Sequence, residues 1–302
     1  MWHWDEWRRH RNGPVAFVLS GGGPLGAVQV GFLHALFDQG IVPDFVVGVS
    51  VGALNAVAIA DDPTHAGVEA LQSLWLRMRK DDLYPGGRLV SAWHAVTRGS
   101  SLYSNAGLRR LIDQHLSAST FEELVIPAHV VATDLSTGNE TWFSQGPVTD
   151  ALLASAAMPG VLPPVTIGGA TYVDGGIVNN VPVSRAIRLG ARHVWVLNVH
   201  AAGQARKLVR PHDFMMHGMV LARAQRYRQD LEIYRRKATI VEFPAVEVGH
   251  VPFTSTAHAG RLIEAGYRTA SEFLRTMLAG TSGMPGASEE QGQGGGRMHR
   301  PA

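Results

Sequence analysis

One stretch of the chain decides the fold: residues 45–60, Phe45-Val-Val-Gly-Val-Ser50-Val-Gly-Ala-Leu-Asn-Ala-Val-Ala-Ile-Ala60. Its first five residues are apolar and mostly β-branched, which is typical of a strand buried in a parallel sheet. From Ser50 onward the residues are small and apolar, which predicts a buried helix. The stretch therefore predicts a strand that turns sharply into a helix at Ser50.

The residues before this stretch show the same order of elements. The apolar run 14–19 (PVAFVL) predicts another strand, and the glycine loop Gly21-Gly22-Gly23-Pro24-Leu25-Gly26 follows it. A helix is predicted over 26–40, because apolar residues recur at helical spacing and Gly40 stands where a glycine commonly ends a helix. Two successive strand–glycine turn–helix units predict a parallel sheet with right-handed crossovers.

Weaker patterns predict further elements, with strands at 129–132, 140–143 and 193–199 and a helix at 150–157. Residues 61–125 are polar and have helical tendency, which predicts a cap over the site. With 302 residues, 45% hydrophobic and 17% charged, the chain has the composition of a globular protein. We expect one catalytic domain over 14–279, an N-terminal segment at 1–13 and a disordered tail at 280–302.

The composition excludes several classes of function. The absence of cysteine excludes disulfides, thiolate catalysis and cysteine-ligated metals. A formal net charge of +2 suits contact with an anionic lipid surface but is too small to indicate nucleic-acid binding. No run approaches the ~18 apolar residues of a membrane span, and the N-terminal tryptophans and charges differ from a secretory signal. We expect a cytoplasmic protein with peripheral membrane contact.

The turn at Ser50 has the chemistry of a nucleophile elbow, because Gly48-Val49-Ser50-Val51-Gly52 matches the pattern G-x-S-x-G. A serine on such a turn points its hydroxyl away from strand and helix, and the flanking glycines remove Cβ atoms that would collide. The helix also directs free N–H groups and its positive dipole end toward Ser50. A purely structural glycine turn is the alternative, but the strand and helix around Ser50 favour a catalytic serine.

The glycine loop also matches G-x-G-x-x-G, which after a strand is typical of a dinucleotide site. Such a site needs an acidic residue at the end of the second strand. That strand ends at Ser50 instead, and Asp44 precedes it. The nucleotide hypothesis is therefore poorly supported.

The second interpretation of the loop is an oxyanion hole. Consecutive glycines allow backbone N–H groups to approach a developing alkoxide without interference from side chains. Pro24 has no N–H, so the donors are expected to be Gly22 and Gly23, with Leu25 as a further candidate.

A third motif is Tyr172-Val173-Asp174-Gly175-Gly176. An aspartate followed by two glycines after a short strand is commonly an ordinary turn. As a catalytic base, however, a carboxylate close to Ser50 would take the hydroxyl proton and activate a nucleophile that is weak at neutral pH. This chemistry requires no cofactor.

The order GGGPLG, GVSVG and DGG resembles the patatin-like phospholipase family of bacterial type. The stretches 132–135 (ATDL), 154–164 (ASAAMPGVLPP) and 174–182 (DGGIVNNVP) are also similar to family sequence, and the match covers roughly residues 14–200. The resemblance implies a three-layer α/β/α patatin-like fold with a mainly parallel central sheet, similar to that of cytosolic phospholipase A2.

The resemblance also implies roles for particular residues. Ser50 would be the nucleophile and Asp174 its base in a Ser–Asp dyad. The expected oxyanion hole comprises Gly21, Gly22 and Gly23, and the supporting glycines are Gly26, Gly48, Gly52, Gly175 and Gly176. One departure is Leu25, which stands where the family usually has Arg or Lys, so the usual preference for phosphate headgroups is in doubt.

The implied function is a serine lipid acyl hydrolase of phospholipase A, lysophospholipase or carboxylesterase type, acting on a lipid or ester through an acyl-enzyme. A catalytically silent lipid-binding or scaffold protein with the same fold is the alternative. A Ser–His–Asp triad would need a late histidine, and none of the candidates lies in a recognisable motif: His193, His200, His217, His250 and His258. There is also no His-Glu-x-x-His metal motif.

Residues 214–237 combine apolar positions with many cations. The simpler interpretation is a packed helix with a solvated basic face. The more specific one is a helix that lies at the membrane surface. The cations concerned are Arg223, Arg226, Arg228, Arg235, Arg236 and Lys237.

Overall fold

The computed structural model describes residues 12–83, 101–199, 211–249, 251–252 and 255–281. Within it, the first two predicted units are present as strand β1 (Val15–Leu19), helix α1 (Gly26–Asp38), strand β2 (Phe45–Val49) and helix α2 (Val51–Asp61). Every residue of both strands is buried, as the apolar runs predict. Gly40 follows the end of α1 with φ +68°, the left-handed conformation expected of a helix-ending glycine.

The remaining helices are α3 (His65–Arg77), α4 (Lys80–Leu83), α5 (Ala106–His115), α6 (Val148–Ser155), α7 (Val183–Arg188), α8 (Pro211–Tyr234) and α9 (Ala259–Thr281). The remaining strands are β3 (Ala128–Asp134), β4 (Glu140–Phe143), β5 (Val165–Ile167), β6 (Ala170–Asp174), β7 (His193–Leu197) and β8 (Thr239–Glu242). The N-terminal segment before residue 12, residues 84–100 of the predicted cap and the predicted tail beyond residue 281 lie outside the described residues.

The strands form one mainly parallel sheet in the order β5-β6-β3-β2-β1-β7-β8, with β4 also paired to β3. The five strands from β3 to β8 along this order are parallel to their neighbours. Three pairs are antiparallel, β4 and β6 each with β3 and β5 with β6, and the sheet is mainly parallel as predicted. Loop length explains the β5–β6 pair: two glycines with positive φ, Gly168 and Gly169, join these strands, and so short a loop makes a hairpin and not a crossover.

The pairing along β3 positions the functional residues. Strand β2 pairs with residues 128–131 of β3, so that Val49 lies opposite Val131. Strand β6 pairs with the next residues of β3, so that Asp174 lies opposite Ala132. Ser50 follows Val49 directly, and the two registers therefore bring Ser50 and Asp174 to the same point of the sheet.

Helices cover both faces of the sheet and make it the middle of three layers. Phe17 and Leu19 of β1 belong to the larger apolar core, which includes residues of α1, α2, α3 and α9. The alternate residues Ala16 and Val18 belong to a smaller core with residues of α7 and α8. This is the predicted α/β/α architecture. No described helix is both long and apolar enough to cross a membrane.

Candidate active site

Ser50 lies at the junction of β2 and α2 with φ 54° and ψ −128°. It is the one non-glycine residue with positive φ among the described residues, and such a conformation is strained for a residue with a Cβ. The flanking glycines make room for the turn. A Cβ on Gly48 would lie 2.6 Å from the carbonyl oxygen of Gly52, and a Cβ on Gly52 would overlap the carbonyl oxygens of Leu19 and Ser20.

The backbone of the elbow is held by contacts from both sides. The Ser50 N–H donates a hydrogen bond of 2.8 Å to the Oγ of Ser155. Ser155 is buried and lies 105 positions later in the chain. The Ser50 carbonyl accepts from the N–H groups of Ala53 (2.9 Å) and Leu54 (3.3 Å) in the first turn of α2. Ser155 was not identified from the sequence as a site residue, although it lies in one of the stretches that resemble the family.

The Ser50 side chain donates a hydrogen bond to Asp174, with 2.6 Å between Oγ and Oδ2. The other carboxylate oxygen, Oδ1, accepts the Gly176 N–H at 2.7 Å. The backbone of Asp174 is fixed as well, because its carbonyl accepts from Thr133 Oγ1 and its N–H donates to the Ala157 carbonyl, both at 2.9 Å. The predicted nucleophile and base are thus brought into direct contact.

Asp174 is 3% exposed, and burial raises its pKa above the ordinary aspartate value. The hydrogen bond from Ser50, the positive charge of Arg223 and the N–H of Gly176 act in the opposite direction. A buried carboxylate with few compensating partners is a stronger base than a solvated one. Proton transfer from Ser50 to Asp174 is therefore more favourable than it would be to an exposed aspartate.

The glycine loop lies beside the elbow. A Cβ on Gly21 would be 3.2 Å from the Ser50 Cβ and 2.7 Å from Asn180 Oδ1. Asn180 makes two hydrogen bonds to Gly21. Its carbonyl accepts the Gly21 N–H, and its Nδ2 donates to the Gly21 carbonyl, each at 3.3 Å.

Not all of the predicted oxyanion donors are available. The Gly21 N–H donates to Asn180 and the Leu25 N–H donates to the Gly22 carbonyl, so both are already engaged. Within the described part of the chain, the N–H groups of Gly22 and Gly23 have no acceptor. The loop therefore leaves Gly22 and Gly23 as the candidate oxyanion donors.

A buried polar network links the start of the glycine loop to the helices around it. Gln29 Nε2 donates to the carbonyls of Ser20 (2.8 Å) and Leu197 (3.0 Å). Asn55 donates to Gln29 Oε1 at 2.8 Å and accepts from Trp75 Nε1 at 3.0 Å. The sequence did not predict this network. Each of its side chains lies on a helix, and the spacing of apolar residues along a helix indicates only that a position is buried.

An apolar cavity of about 290 Å³ opens at Gly23, Pro24 and Ser50. Helices α2, α3 and α5 form most of its wall, with side chains such as Leu54, Leu71, Leu74, Leu111 and Ile112. The predicted cap therefore contributes walls of the site through α3 and α5, although α3 also packs against α1 and α2 as part of the helical layer.

Comparison with known protein families identifies the family of this chain. The model of the patatin-like phospholipase family matches residues 17–187, more than half of the sequence. This chain belongs to the patatin-like phospholipase family. The match spans the glycine loop, the elbow and the turn at Asp174, the three elements that meet in the structure.

Patatin-like relatives differ greatly in length. A patatin-like phospholipase domain-containing protein of Caenorhabditis elegans is 33% identical over 187 residues, which cover 61% of this chain and 13% of that protein. An uncharacterized NTE family protein of Mycobacterium tuberculosis is 29% identical over 198 residues, covering 64% and 51% respectively. Human group IVD cytosolic phospholipase A2 with methyl gamma-linolenyl fluorophosphonate matches 88% of this chain and 58% of its own, with 11% identity and a TM-score of 0.48.

The rival hypotheses gain no support from the patatin-like site. No histidine hydrogen bonds to Ser50 or Asp174 in the described residues, which include His193, His217 and His258 but not His200 or His250. Asp44 accepts from the Val15 N–H at 2.7 Å, at the amino end of β1 and away from the glycine loop. No group of three His, Asp or Glu side chains suited to a metal occurs in the ranges that the structure describes.

Helix α8 and the residues after it match the predicted solvated basic face only in part. Arg226 is paired with Glu140 at 2.7 Å and with Asp230 at 3.4 Å. Arg223 is partly buried, and its charge acts on Asp174. The exposed cations of this segment are instead Arg228, Arg235, Arg236 and Lys237.

Proposed function

We propose that this chain is a serine lipid acyl hydrolase in which Ser50 is the nucleophile and Asp174 its base. The observation that carries the proposal is the 2.6 Å hydrogen bond from Ser50 Oγ to Asp174 Oδ2 at a strained strand–helix turn. Membership of the patatin-like phospholipase family supports the same chemistry.

In the proposed reaction, Asp174 takes the Ser50 proton as Oγ attacks the ester carbonyl carbon. The resulting alkoxide lies against the N–H groups of Gly22 and Gly23, and removal of one such donor in a serine hydrolase typically costs on the order of 3 kcal/mol. As the C–O bond breaks, Asp174 returns the proton to the leaving alcohol. A water molecule then hydrolyses the acyl-enzyme, with Asp174 as base again.

We further propose that one acyl chain occupies the cavity next to Ser50. The cavity is lined mainly by apolar side chains, with leucine the most frequent, and such a lining binds an acyl chain by burial of apolar surface. Leu25 is partly buried against the apolar core and supplies no charge to the site. These two features favour neutral monoacyl lipids or short-chain esters over anionic diacyl phospholipids.

Peripheral contact with a lipid surface at the cytoplasmic side is part of the proposal. The exposed cations of α8 and the residues after it provide an attractive charge, on the order of 1 kcal/mol for each one near an anionic surface. Binding of this kind weakens as the salt concentration rises.

The direct test is covalent labelling with an alkyl fluorophosphonate, followed by intact-mass measurement. One adduct is expected on the wild-type chain and none on Ser50→Ala. Wild-type protein that remains unlabelled but binds lipid vesicles would instead establish the silent lipid-binding alternative, because only an activated serine reacts with the probe.

A further inference from the structure

Arg223 of α8 lies near Oδ1 of the proposed base, the carboxylate oxygen that does not accept from Ser50. Its Nη2 lies 3.5 Å from the position that a Cβ on Gly176 would occupy, and Asp174 Oδ1 lies 2.9 Å from the same position. Ser50 binds the other carboxylate oxygen, Oδ2. The guanidinium and the carboxylate are thus close neighbours, although the described residues show no direct salt bridge between them.

The Arg223 side chain forms no ion pair with another acidic residue in the described part of the chain. It is partly buried, and its buried Nε has no hydrogen-bond partner in the described part of the chain. Burial lowers the pKa of Arg223, and the charge of Asp174 acts in the opposite direction.

The other charged side chains near Arg223 interact with one another and not with Asp174. Glu140 on β4 accepts from Arg226 at 2.7 Å and lies 4.0 Å from Arg188 on α7. Asp230 pairs with Arg226, and Arg185 stacks over the Trp142 ring at 5.0 Å. His129 on β3 remains neutral at physiological pH, because burial lowers its pKa to about 4. The charge that reaches Asp174 is therefore that of Arg223.

We propose that Arg223 is a positioning residue whose positive charge keeps the buried Asp174 carboxylate ionised beside Ser50. It does so without touching the reacting atoms. The inference rests on the proposed function for its catalytic meaning, but the charge state of Asp174 can be measured without any turnover.

The direction of the effect follows from the charges. Burial favours the neutral carboxylic acid, which cannot accept the Ser50 proton, and a cation within a few ångströms favours the carboxylate. Loss of the Arg223 charge raises the pKa of Asp174 further. The low-pH limb of the kcat/KM profile then moves to higher pH, by about one pH unit for a single charge at this range.

Two neutral variants, Arg223→Gln and Arg223→Met, test the loss of charge, and circular dichroism selects the one that folds. Arg223→Lys keeps the charge, and Arg275→Gln removes an exposed arginine of α9, outside the site and the proposed lipid contact, as a control. The readouts are the pH profile of kcat/KM for a neutral short-chain ester and the ¹³C titration of aspartate carboxyls, with Asp174→Asn to assign the Asp174 signal.

We expect both readouts to move to higher pH in the folded neutral variant, to return most of the way in Arg223→Lys, and to stay unchanged in Arg275→Gln. An Asp174 titration at the wild-type pH in the neutral variant overturns the inference. If the wild-type chain lacks esterase activity and fluorophosphonate labelling while the titration still shifts, the proposed function fails and the electrostatic role of Arg223 stands.

Discussion

The two faces of the sheet differ in chemistry where they meet the Ser50–Asp174 pair. On one face, α2, α3 and α5 enclose an apolar cavity that begins at Ser50. On the other, Arg223 and Arg226 of α8 and Glu140 of β4 lie close to the turn that holds Asp174. In the proposed function this difference divides the roles: the apolar face binds the acyl chain, and the charged face controls the protonation of the base.

The largest expected effect comes from the residue at the boundary of the two faces. Ser50→Ala should lower esterase kcat/KM by at least about a thousandfold, because it removes the attacking oxygen and leaves the fold intact. Ser136→Ala, in the exposed turn after β3, is the matched control and should retain full activity. More than a few per cent of activity in a folded Ser50→Ala chain would show that another residue is the nucleophile.

The apolar face can be altered without touching the charges. Leu111→Trp on α5 should fill part of the cavity and lower kcat/KM for long-chain esters about tenfold relative to a butanoate ester. Hydrolysis of p-nitrophenyl esters of increasing length measures this ratio. Leu135→Trp, which enlarges a 57% exposed leucine outside the cavity, should leave the ratio as it is. An unchanged ratio in Leu111→Trp would place the acyl chain elsewhere.

A smaller effect is expected where the glycine loop lacks a cation. Leu25→Arg should improve hydrolysis of anionic diacyl phospholipid relative to neutral monoacyl substrate about fivefold, since one favourable ionic contact contributes roughly 1 kcal/mol at a partly exposed site. Detergent micelles at high salt remove the contribution of vesicle binding. A wild-type preference for the anionic lipid under those conditions would show that charge at position 25 does not set the preference.

The smallest effect concerns stability and tests the charged face. Burial raises the pKa of Asp174, so its favourable contribution to folding is complete below the ordinary pKa of 3.8 and is lost as pH rises through the folded-state value. Asp174→Asn should therefore be inactive yet have a higher Tm than wild type at pH 7, by about 2–4 °C for each kcal/mol gained. The gain should shrink as pH falls through the raised pKa of Asp174. A lower Tm at pH 7 would mean that the carboxylate stabilises the fold.

The parts of the molecule that the sequence predicts well are those with local signals. The elbow at Ser50 and the first two strands and helices follow from short apolar runs and glycines, and the observed bounds agree closely. The antiparallel direction of β6 was not predicted, because nothing in a five-residue strand indicates which partner it joins.

The remaining site residues were missed because their roles depend on distant partners. Ser155 supports a residue 105 positions away. Arg223 stands in the same basic stretch as the exposed Arg228, and only its packing against the turn at Gly176 distinguishes it. Periodicity identifies a buried position but not the hydrogen bond or charge that the position serves.

Because β6 carries Asp174, enzymatic activity depends on the correct register of β6 against β3. Because successive residues of a strand face opposite sides of a sheet, a slip of β6 by one residue would turn the Asp174 side chain away from Ser50. Such a misfolded chain would keep nearly the same helix and strand content. Circular dichroism would not distinguish it from the native protein, whereas fluorophosphonate labelling would.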